Sequence, residues 1–108
     1  MTKDTVYKYL IKTFGGVQYS GVRYLAYLVC NLGEKDRLRE HYNKLAEEYN
    51  STPAAVERAI RNYVATWSDK ATAEELAIMF NYTLAPDQDK LYVREVIPLL
   101  RRYMDNME

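Results

Sequence analysis

The chain has 108 residues, with 15 lysines and arginines against 15 aspartates and glutamates, one cysteine, one histidine and 48% apolar residues. That is enough for one compact domain with its own core, and too apolar for a disordered tail. A formal net charge of zero excludes binding to nucleic acid by bulk positive charge, although it leaves room for a local basic face.

Met1 leads into polar TKDT, unlike a signal peptide, and no stretch nears the ~18 apolar residues of a membrane span, so a cytoplasmic chain is expected. Punctuation at Gly15-Gly16, Gly33, Asn50 to Pro53, Ser68 to Thr72 and Ala85 to Asp89 leaves segments with apolar spacings of three and four. This is the pattern of an all-α compact bundle of about six helices. The first helix is predicted over Thr5 to Phe14, with Val6, Tyr9 and Leu10 on one face, and Gly15-Gly16 as the turn after it. The second, Ser20 to Asn31, is almost wholly apolar after Arg23 and reads as a central buried helix. Its Cys30 has no neighbouring base or cation to lower its pKa, so a small core residue is expected rather than a nucleophile.

The third helix is predicted from Arg37 or Glu40 to Tyr49, with Leu38, Tyr42, Leu45, Ala46 and Tyr49 inward. His41 lies in the charged run EKDRLREHYNK and is expected to be solvated. Alone, it supplies no ligand set for a metal. Asn50 tolerates the left-handed conformation that closes a helix, and Thr52-Pro53 supplies an N-cap hydroxyl followed by proline at the first helical position. The fourth helix then runs from Pro53 to Trp67. Projected at 100° per residue, Val56, Ala59, Ile60, Tyr63, Val64 and Trp67 fall within an arc of about 140°. Ala54, Arg58, Arg61, Asn62 and Ala65 face the other way.

A fifth helix, Thr72 to Phe80, has a cap at Thr72 and Glu75 at capping-box spacing. A sixth is predicted from Asp89 or Lys90 to Met104, where Pro98 should kink or interrupt it, and LYVREVI reads equally as an extended segment. No phosphate loop, GxGxxG or GxSxG is present, and no nucleophile has a positioned partner. The chain is therefore not expected to be an enzyme or to need a cofactor.

Helices three and four together have the parts of a helix-turn-helix: a bracing helix, a tight turn, and a second helix whose outer side can reach base edges. An arginine fork at Arg58 or Arg61 can donate twice to guanine, and the Asn62 amide can both donate to and accept from adenine. Small Ala54 lets the helix approach the groove, while Ser51 and Thr52 sit at the helix start, where hydroxyls and free amides hold phosphate. Glu57 can accept from cytosine or pair with Arg61 four residues on, and the pair is the favoured reading. Two outward arginines also suit a merely solvated face. The 11 tyrosines read as core and rim packing, with no nucleic-acid role assigned.

The run N-S-T-P-A-A-V-E-R-A-I-R, Asn50 to Arg61, resembles the recognition segment of the C-terminal DNA-binding domain of the stage-zero sporulation transcription factor family, the phosphorelay response regulators of endospore-forming Firmicutes. YSGVRYLAYLV resembles that family's long second helix, and MFNYT, Met79 to Thr83, resembles its Phe-Gly-Tyr-Thr segment. The resemblance implies a six-helix domain that binds short boxes of double-stranded DNA, often in tandem and as a homodimer, with its fourth helix in the major groove. Ser51, Thr52, Ala54, Glu57, Arg58, Arg61 and Asn62 are the candidate DNA-binding residues. It also implies a contact with the RNA polymerase sigma subunit at roughly Ser68 to Phe80.

Residues 1–108 read as one such domain without the family's phospho-accepting receiver. Ala55 stands where the family usually has arginine, Asn62 where it often has histidine, and Asp87 and Asp89 make the last loop acidic. These departures motivate an alternative: a protein-interaction module or antagonist, of a kind carried by a mobile element or phage, that kept the fold and binds a protein instead of DNA.

Overall fold

The computed structural model describes residues 2–70 and 93–107, which form five helices and no strand. The first, α1, spans Lys3–Phe14. Thr2 Oγ1 caps it by accepting from the Thr5 amide at 3.2 Å, two residues earlier than the sequence pattern suggests. Val6, Leu10 and Phe14, four apart, form its buried stripe. Gly15 and Gly16, at φ 74° and 85°, end it in the left-handed region that glycine occupies without strain.

The central helix, α2, spans Gly21–Asn31 and packs against α1, α4 and the last helix. Its apolar run is buried on nearly every side, with Val22, Leu25, Ala26 and Leu28 wholly inaccessible. Cys30 is half-buried at its end, and desolvation raises its thiol pKa, which fits a packing role.

The third and fourth helices are α3, Leu38–Glu48, and α4, Pro53–Lys70. His41, expected in solvent, is instead only 5% exposed. Burial of an imidazole is tolerable when both ring nitrogens find partners. Here Nε2 lies 2.9 Å from Asp36 Oδ2 and Nδ1 lies 3.3 Å from the Tyr27 hydroxyl. The same Asp36 oxygen accepts from the Gly33 amide at 2.8 Å. The His41 bond, with that amide's help, holds the Asp36 carboxyl below the usual carboxylate range and ties the Gly33 turn to α3.

The last described helix, α5, spans Val93–Met107. It runs unbroken through Pro98, so the interruption expected there does not occur. The proline ring lies exposed, and the burial of Val96, Ile97, Leu100 and Met104 on the core side offsets the lost backbone bond, which costs about 3 kcal/mol in a helix interior. Val93 to Ile97 is helical, which removes the extended alternative for that part. The expected helix at Thr72 to Phe80, the acidic loop at Asp87 and Asp89, and the Asp89 or Lys90 helix start lie outside the described residues.

Arg101 fastens α5 to α2. Its Nε donates to the Val29 carbonyl at 3.0 Å, and its Nη2 donates to the Leu32 and Leu28 carbonyls at 2.7 and 3.4 Å. The last carbonyls of a helix run short of intrahelical donors and carry partial negative charge, so the guanidinium adds donors there and meets the dipole; the Leu28 carbonyl also accepts from the Leu32 amide at 3.0 Å. Among the described residues, no helix is long and apolar enough to cross a membrane.

Candidate nucleic-acid interface

The link between α3 and α4 is set by three local devices. Asn50 adopts φ 53°, the left-handed conformation that its sequence position called for. The Ser51 amide then reaches back to the Ala46 carbonyl at 2.8 Å, and the Asn50 amide reaches the Glu47 carbonyl at 3.5 Å. This paired return is a Schellman closure, which reverses the chain within one turn. Thr52 Oγ1 next accepts from the Ala55 amide at 3.1 Å, and Pro53 opens α4 where no amide donor is missed.

The inner face of α4 is driven into the core. Val56, Ile60, Tyr63, Val64 and Trp67 are at most 1% exposed. Each such side chain contributes roughly 1.5–3 kcal/mol through its burial. Phe14 stacks on Trp67 at 4.0 Å between ring centroids, and Tyr63 meets the same indole edge-on at 5.7 Å. The Tyr63 hydroxyl donates to the Gly15 carbonyl at 3.0 Å, which joins α4 to the α1–α2 turn. Desolvation pushes that phenol up to about 12. On the α2 side, Gly21 lets the two backbones meet: a Cβ there would fall on the Ala59 carbonyl oxygen and 2.9 Å from Tyr63 Cβ.

With the inner arc so committed, the outer arc is fixed by rotation. Ala54, Glu57, Arg58, Arg61, Asn62 and Ala65 are all exposed. Arg58 and Arg61 stand one turn apart on the same face, about 4.5 Å along the axis, so their charges add. The favoured Glu57–Arg61 pair is not formed among the described residues, which leaves both side chains directed to solvent. Ala55 is half-buried on the flank of the helix, not on its outer centre.

The α4 start offers fewer amides than its position suggests. The Ser51 amide is taken by Ala46 and the Ala55 amide by Thr52, while proline has none. The exposed Ser51 and Thr52 hydroxyls and the Ala54 amide remain as donors there. Sequence reasoning missed the Arg101 brace and the buried His41. The first had a signal: Arg101 sits four residues after Ile97 and three before Met104, a charged group within an apolar stripe. Of the sigma-contact segment expected at Ser68 to Phe80, all but its first three residues lie outside the described residues.

The family model described as sporulation initiation factor Spo0A, C terminal, matches residues 7–104. Neither the curated proteins nor the solved structures yield a match.

Proposed function

The chain belongs to the sporulation initiation factor Spo0A C-terminal family, a family of DNA-binding effector domains that regulate transcription, and from that premise we propose that it is a sequence-specific binder of double-stranded DNA. The observation that carries this reading is the exposed outer arc of α4, with two arginines and an asparagine on a helix whose opposite face is locked in the core. Such a helix enters the major groove with its orientation already set. Arg58 and Arg61 donate to guanine O6 and N7, and Asn62 reads adenine. Glu57, without a pairing arginine, accepts from the amino group of cytosine. The Ser51 and Thr52 hydroxyls hold a phosphate at the groove edge, and Ala54 keeps the helix start thin enough to seat.

Titration of duplex DNA carrying the family's box, followed by fluorescence anisotropy at low salt, tests this. Arg58→Ala and Arg61→Ala should each cost about 1–3 kcal/mol and relax base preference at one position. If the wild-type chain holds the box no more tightly than random duplex, the proposal is wrong.

A further inference from the structure

Beside the turn that leads into α4 lies a cleft of about 320 Å³, lined by Lys3, Asp4, Tyr7, Arg23, Ala26 and Tyr49. Residues from α1, α2 and the end of α3 thus converge on one opening. Lys3 and Arg23 are exposed, and neither forms an ion pair among the described residues. Two cations against the single Asp4 carboxylate leave the lining with a surplus of one positive charge, and Tyr7 and Tyr49 add phenolic donors. This composition matches a phosphodiester, which carries one negative charge and two acceptor oxygens.

The cleft is tied to the recognition helix by its own wall. Tyr49 is the C-cap residue of α3, and its ring is held edge-on by Tyr24 at 5.3 Å. Three residues further on, Thr52 caps α4, so at most about 11 Å of chain separates the two. The major groove is about 12 Å wide, with a row of phosphates along each edge. That separation is short enough for this opening to reach one of those rows when the helix enters the groove by its N-terminal half.

We propose that Lys3 and Arg23 clamp a backbone phosphodiester flanking the box read by α4, a contact that fixes position without reading sequence. The inference rests on the DNA-binding reading above. It gives a role to two of the four basic residues, Lys3 and Arg23, that with Lys8 and Lys12 stand against Asp4 alone in the first 30 residues of a chain of zero net charge.

The test is the salt dependence of binding by the full chain, with box-bearing and scrambled duplexes as probes. Each neutralised phosphate adds about 0.9 to the slope of log affinity against log salt. Lys3→Ala/Arg23→Ala should lower that slope by about 0.9 on both duplexes, one phosphate's worth, so that a fourfold rise in salt costs about 3.5-fold less affinity than in the wild type. Its melting temperature should stay at the wild-type value, because both side chains are exposed. Lys8→Ala/Lys12→Ala, which removes two exposed lysines outside the cleft, should leave the slope unchanged. An unaltered slope in the first variant, with the wild type still binding the box, overturns this inference alone. An equal loss in the second shows that charge, and not the cleft, is responsible, and overturns it as well. If the wild type binds no duplex, the DNA-binding reading fails and takes the clamp with it.

Discussion

Tyr63 holds its proton more tightly in the native chain than an exposed tyrosine does, because its phenol is buried and donates to the Gly15 carbonyl. The native phenol titrates near 12 against about 10 for an unfolded chain. Between those values the native state binds more protons than the unfolded state, so this group's stabilisation is intact below pH 10 and is lost as pH rises through 12. Ultraviolet phenolate titration of the wild type minus Tyr63→Phe should isolate a component centred near 12. A difference curve centred near 10 would show that the hydroxyl is open to water. His41 teaches a related lesson at this scale. Its charged neighbours in sequence suggested solvent, yet Tyr27, fourteen positions earlier, supplies the second bond that permits burial.

At the scale of elements, α4 is positioned by what it packs against rather than by its own propensity. The closest approach is at Gly21, where any side chain would meet the Ala59 carbonyl. Gly21→Ala should therefore cost about 1–3 kcal/mol in urea unfolding, since α2 and α4 must separate to admit the methyl group. It should also weaken binding to the box, although Gly21 lies in α2 and off the proposed DNA-facing arc. Retention of both wild-type stability and affinity would mean that the interhelical spacing is slack. The turn before α4 was legible in the sequence because each of its devices is local: Asn50 for positive φ, Thr52 for the cap, Pro53 for the first turn. The passage of α5 through Pro98 was not, because a local rule registers the lost bond and cannot see the apolar stripe that offsets it.

At the scale of the molecule, α5 is joined to the C-terminal end of α2 by Arg101, which bridges about seventy residues of sequence. Bonds from a charged donor are worth about 1.5–3 kcal/mol, so Arg101→Met should lower stability by that order in chemical denaturation. Arg101→Lys should recover only part of the loss, since an ammonium lacks the planar fork that meets several carbonyls together. Equal stability of all three chains would show that the brace contributes nothing net. Arg101 thus braces a helix, α2, that also packs on α4.

The order of apolar residues and turn signals by itself determined that this chain is helical, where α3 and α4 meet, and which arc of α4 is apolar. Those properties depend on periods of three and four and on residues that dictate their own backbone angles, which are local. Only the tertiary structure decided that Arg101 is a brace, that His41 is buried, that Glu57 stands unpaired, and that Lys3 and Arg23 share a cleft with Tyr49. Each of these depends on groups brought together by packing, often from distant parts of the chain, or on the geometry packing leaves at the surface. The zero net charge belongs to both levels. Its sum is a property of composition, whereas the placement of its positive part follows from how α1, α2 and α3 converge.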